Sequence, residues 1–193
     1  MAKLLFLAGS ARSGSINKKL AQHARDLAEK AGAQATFIDL KDYDMPIYDG
    51  DLEDAQGLPE NTKKLKALFA EHDGFFIASP EYNSSFSPLL KNTLDWISRP
   101  DPDNKDEPPL LAYKGKVAAL AAATPGALGG IRGLVPLRMM LGNIAVHVLP
   151  QQVAVSNGFS AFDDNGALTN DMQANMMNDL IKAFIETADK LNA

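Results

Sequence analysis

The 193-residue chain contains no cysteine. Disulfides, thiolate catalysis and cysteine-ligated metal are thereby excluded. It also lacks any strong excess of one charge: 19 Lys and Arg against 24 Asp and Glu leave a net charge of −5. That balance argues against nucleic acid as a partner and leaves room for one small anion held locally. No apolar run approaches the roughly 20 residues a membrane span requires, so a membrane partner is not expected either. Met1-Ala2-Lys3 runs into a short apolar stretch without the features of a signal peptide, and the cytoplasm is the expected compartment. Histidine is scarce. His23, His72 and His147 are far apart, whereas a metal needs several converging ligands, so no metal site is assigned. The acids between Asp42 and Asp54 fail the calcium-loop register, since no Asp start places Gly sixth and Glu twelfth. No repeat, low-complexity tract or linker interrupts the chain. The expectation is one domain over residues 1–193.

What the chain does have is alternation. Short apolar runs at 3–9, 35–40, 73–80, 116–124 and 144–150 read as buried strands. Segment 151–157 is a candidate extension at the sheet edge. Between the runs lie helical periodicities. One covers 17–31, with Leu20, Ala24, Leu27 and Ala28 on one face and Gly32 at the stop. Others start at Pro59, span Phe86 to Ile97, reach Leu141 after a Gly-rich stretch, and follow a Thr169 or Asn170 cap. Trp96 and the methionines at 172, 176 and 177 read as packing residues. Residues 41–57 are acidic and irregular, and 99–115 is a proline-rich loop. Strand and helix alternating five times imply an α/β fold, a parallel sheet with helices on both faces. Ligands of such sheets bind beyond the carboxyl ends of the strands, which singles out the loops after strands one, three and four.

The first loop, "GSARSGSIN" (9–17), has the Gly9–Gly14 spacing of a phosphate-binding NTPase loop. But Ser15 stands where the lysine must be, and Ile16 where the metal-binding hydroxyl must be. The dinucleotide pattern of paired glycines is absent too. What remains is a serine-rich turn at a helix start. Its unpaired N–H groups and dipole favour an anion, Ser10, Ser15 and Asn17 add hydrogen bonds, and Arg12 adds charge. A monophosphate that is never transferred needs no metal. The alternative is that Ser15 or Asn17 only caps the helix while Arg12 is solvated. After strand three, Pro80 stiffens the exit, and Tyr82 and Asn83 stand where a flat ligand would lie. An Asn amide suits a ring edge carrying both donors and acceptors. After strand four, Gly129 and Gly130 permit close backbone approach.

Together these loops resemble the NADPH-dependent FMN reductase family of flavodoxin-like quinone, azo and metal-ion reductases. Its first-loop pattern G-S-x-R-x-x-S-x-N is met by Gly9, Ser10, Arg12, Ser15 and Asn17. Its second, P-E-Y-N-x-S, is met by Pro80, Glu81, Tyr82, Asn83 and Ser85, followed by Leu90-Lys91-Asn92. A glycine pair with a following Arg appears as Gly129, Gly130 and Arg132. Ser84 departs from the usual Gly. The resemblance implies a flavodoxin-like three-layer sandwich with strand order 2-1-3-4-5. It implies FMN as cofactor, its phosphate on Ser10, Arg12, Ser15, Ile16 and Asn17. The ring would lie against Pro80, Glu81, Tyr82, Asn83 and Ser85, with Thr124, Gly126 and Gly129 nearby. NADPH or NADH would reduce the flavin, and a small-molecule acceptor (quinone, flavin, azo compound or oxidised metal ion) would take the electrons in alternation. A homodimer or homotetramer is implied as well. No catalytic acid, base or nucleophile is required. The competing reading is a flavodoxin-type electron carrier docking a protein partner. Such carriers use a Thr/Ser-x-Thr-Gly first loop, unlike this one.

Overall fold

Apolar runs too short for a helix and buried on both faces become parallel strands. The structure, a computed structural model, describes residues 1–192. Five strands build the sheet: β1 (Lys3–Ala8), β2 (Gln34–Ile38), β3 (Gly74–Ala78), β6 (Val117–Ala123) and β7 (His147–Val155), in the order β2-β1-β3-β6-β7 and parallel throughout. Two further strands, β4 (Glu81–Tyr82) and β5 (Ser85–Phe86), form a separate small hairpin. Leaving that hairpin aside, the order is the expected 2-1-3-4-5.

Alternation along each strand divides the core in two. Leu4, Phe6 and Ala8 face α1 (Ile16–Lys30) and α6 (Asp171–Leu191), where Leu20, Ala24, Leu180 and Phe184 are buried. Leu5 and Leu7 share the opposite cluster with Leu65 and Phe69 of α3 (Glu60–Glu71), Leu90 and Leu94 of α4 (Pro88–Ser98) and Leu134 and Leu137 of α5 (Ile131–Asn143). Removing each such side chain from water contributes about 1.5–3 kcal/mol, so burial on both faces holds the sheet between two helix layers. Trp96 is fully buried and donates to the Pro46 carbonyl at 2.8 Å. It is a packing residue, as its helical position indicated.

Three stretches differ from the sequence reading. Residues 41–57 are not all irregular: α2 (Gly50–Gln56) forms there, its Asp49 cap accepting from Asp51 and Leu52 N–H. It buries no residue, so it carries no apolar stripe to reveal it. Phe86 lies in the hairpin, and α4 begins only at Pro88, capped by Ser87. Finally, 147–155 is a single edge strand. Pro150 is tolerated because the pairing slips beside it, between Ala118↔Val148 and Leu120↔Gln152.

The hairpin turns on Asn83 and Ser84, whose φ values are +52° and +66°. Two successive left-handed residues define the turn that matches strand twist, and its second position favours glycine. Ser84→Gly is therefore expected to stabilise the protein by about 1 kcal/mol, from relief of left-handed strain. The thermal midpoint would rise by about 2–4 °C for a chain of this size. An unchanged or lower midpoint would show that the serine hydroxyl compensates the strain.

Candidate functional site

The site follows from where three strands stop. β1 and β3 end side by side, and Gly9 N–H continues their pairing to the Ala78 carbonyl at 3.0 Å. A side chain at Gly9 would meet Leu90 and Ser87 at 3.1 Å, so α4 packs directly on the strand exit. The chain then turns through Ser10–Ser15. Arg12 N–H donates to Ser10 Oγ at 3.3 Å, and Ser15 N–H to the Arg12 carbonyl at 3.2 Å. Ser15 caps α1, its Oγ accepting from Lys18 N–H at 3.4 Å. Lys18 in turn is pinned to Asp39, beyond the end of β2, at 2.6 Å. The first turn of α1 holds no acidic residue, so its dipole and the N–H groups that Ser15 leaves uncapped favour an anion.

Over this turn lies an open cleft of about 200 Å³. Ser10, Arg12, Ser15, Ile16 and Asn17 line it from the first loop; Pro80, Glu81 and Tyr82 from the second; Thr124 from the third. A side chain built on Gly14 would meet nothing within 4 Å, so backbone faces open space there. Past Glu81 and Thr124 the cleft adjoins a depression of about 330 Å³, where Gly126 lies. Nine of the thirteen residues singled out by sequence thus surround one cavity and a tenth its neighbour. The other three line neither. Asn83 is exposed at the hairpin tip, Ser85 pairs with Tyr82 in the hairpin, and Gly129 packs on β7. A Cβ on Gly129 would stand 2.6 Å from the Ala154 carbonyl carbon, and one on Gly130 would stand 2.8 Å from the Ala122 Cβ. Close approach does demand these glycines, but what approaches is the sheet.

Two further lining residues, Glu81 and Asn17, have their polar groups engaged. Glu81 accepts from Arg132 Nε at 2.9 Å and from Gly133 N–H at 3.3 Å. Gly130 offers α5 no side-chain cap, so the Glu81 carboxylate meets the positive end of that helix instead. The hairpin and α5 are thereby locked together. Asn17 is 3% exposed. Its Nδ2 donates to the Ala123 carbonyl and its Oδ1 accepts from Ala123 N–H, both at 2.9 Å.

Sequence reading missed Phe159, which lines the cleft while 76% exposed. It follows Gly158, whose N–H donates to the Thr124 carbonyl at 2.9 Å. A Cβ on Gly158 would stand 2.6 Å from Ile16 Cδ1. The signal was available in "SNGFS" after the fifth strand, since loops at the carboxyl ends of neighbouring parallel strands gather on one side.

The five-stranded parallel sheet in this order, with a cleft beyond the ends of β1, β3 and β6, defines a protein of the flavodoxin-like class. The sequence pattern of NADPH-dependent FMN reductases matches residues 2–160. The chain belongs to that family, and its members are oxidoreductases. It is 33% identical to an NAD(P)H-dependent FMN reductase of Pseudomonas aeruginosa, over 94% of this chain and 92% of the relative. It is 35% identical to a quinone reductase of Escherichia coli, over 72% of this chain and 69% of that one. Among solved structures, the NAD(P)H:(acceptor) oxidoreductase FerB of Paracoccus denitrificans superposes with a TM-score of 0.81 at 27% identity, over 98% of both chains.

Proposed function

We propose that the protein holds FMN in this cleft and transfers hydride from NADPH or NADH to a small flat acceptor, a quinone foremost, in two alternating half-reactions. The supporting observation is the convergence of an anion nest (Ser10, Arg12, Ser15 and the first amides of α1) with the second and third loops around one cavity. The donor set fits a phosphate monoester: hydroxyls, one guanidinium, helix-start N–H groups, and no acid in that turn to oppose it. When bound, the flavin supplies the chemistry of accepting and releasing hydride. The chain's part is to bind and orient. Arg12 and the serines fix the phosphate. Pro80–Tyr82 and Thr124 bound the side where the ring would rest. The Glu81–Arg132 pair keeps the hairpin seated on α5 while reactants exchange. Because the cleft opens to solvent beside exposed Tyr82, donor and acceptor can reach one face in turn.

An anaerobic absorbance experiment tests this reading. Protein saturated with FMN should lose its yellow absorbance on adding NADPH or NADH and regain it on adding benzoquinone. Failure to take up FMN would end the proposal. Uptake without bleaching by either donor would favour the electron carrier instead. That second reading is the weaker, since the curated relatives are named reductases.

A further inference from the structure

Parallel neighbours bond in a regular ladder, so the place where two strands part must be closed by something else. β3 and β6 part at the floor of the cleft. Their last regular pair is Ala78↔Ala121, followed by Ser79 N–H donating to the Ala121 carbonyl at 2.8 Å. A continued ladder would next join Ala123 N–H to the Ser79 carbonyl, and Glu81 N–H to the Ala123 carbonyl. Neither forms. Instead the Asn17 amide, from the first turn of α1, takes both places on Ala123, accepting from its N–H and donating to its carbonyl at 2.9 Å each. One side-chain amide thus reproduces the donor and acceptor of a missing strand residue. Because β6 is satisfied without β3, the chain is free to leave the sheet at Ser79-Pro80 and fold into the β4–β5 hairpin, which supplies Glu81 and Tyr82 to the cleft.

We propose that the Asn17 side chain is a positioning group, a surrogate strand partner that holds the second and third loops apart, and not a ligand of the bound phosphate. This rests on the flavin reading above. Removing the amide leaves two buried backbone groups on Ala123 unpaired, and the gap between β3 and β6 then closes or slips. The damage falls on the walls for the ring and spares the anion nest around Arg12.

The test compares FMN with riboflavin, which lacks the phosphate. Apoprotein carrying Asn17→Ala, or Asn17→Ser should the first variant fold poorly, is titrated with each flavin by fluorescence quenching. Both affinities are expected to fall together, by roughly tenfold or more, as an unpaired buried group implies. Arg12→Ala is the control, expected to lose FMN affinity alone. A second readout needs no flavin: amide hydrogen exchange at Ala123 and Thr124 should accelerate in the Asn17 variants and stay slow in the Arg12 variant. A third is spectroscopic, a shifted visible band of bound riboflavin, which a remote structural defect would not produce. Loss confined to FMN would make Asn17 a phosphate ligand and overturn the proposal. So would unchanged affinity for both flavins, or exchange at Ala123 no faster than in the parent. A parent protein that binds neither flavin would overturn the functional reading, and the exchange rates alone would then decide whether Asn17 braces the strands.

Discussion

Arg12→Ala is expected to weaken FMN retention by about 1.5–3 kcal/mol, the range for a hydrogen bond to a charged group. Among the described residues Arg12 is the one cation on the cleft wall, and it is exposed in the loop that turns between β1 and α1. The remaining donors there are hydroxyls and helix-start amides, which hold an anion but bring no full charge. Riboflavin affinity should be unchanged, because the lost interaction is with phosphate only. Equilibrium titration of the apoprotein with both flavins measures this directly, and equal FMN affinity in variant and parent would remove Arg12 from the site. Raising the salt concentration should narrow the difference, since an exposed charge is screened.

Gly129→Ala should produce a large loss of stability, about 3 kcal/mol or more, by combining left-handed strain with a backbone collision. Gly129 has φ +62°, and the added methyl would stand 2.6 to 2.8 Å from the Ala154 carbonyl group and Val155 nitrogen. These are main-chain atoms of β7 and cannot swing aside as a side-chain tip would. The thermal midpoint should drop by roughly 6–12 °C, taking about 2–4 °C per kcal/mol for this chain length. Gly14→Ala is the comparison. It meets nothing within 4 Å, so its midpoint should stay near the parent's. A Gly129 variant as stable as the parent would mean that the third loop moves off the sheet at little cost.

The contrast between these glycines shows what sequence can and cannot disclose. Glycines 129 and 130 announce a close approach, but the partner is 25 residues later for Gly129 and 8 earlier for Gly130, at Ala154 and Ala122. Nothing local to them says whether a ligand or a strand will be there. Asn17 poses the same difficulty, since its partner Ala123 lies 106 residues away. The parallel sheet was legible because burial on both faces leaves apolar runs, and the helices because one face is apolar. α2 escaped because it buries nothing and depends on the Asp49 cap. The hairpin escaped because its strands are two residues each and Ser84 hides the usual Asn-Gly turn signal. The first loop was legible as a helix start, since a serine cap is a local fact. Phe159 was overlooked because only three of the carboxyl-end loops were considered.

The proline in the outermost strand has a consequence beyond the fold of one molecule. Pro150 removes a donor from the free side or the bulge of β7, and the slipped pairing bends the strand at that point. A foreign extended segment laid along this border would find an interrupted row of partners and a mismatched curve. At this border the sheet is a poor template for growth by strand addition, so the polypeptide carries its own safeguard against fibrous self-association.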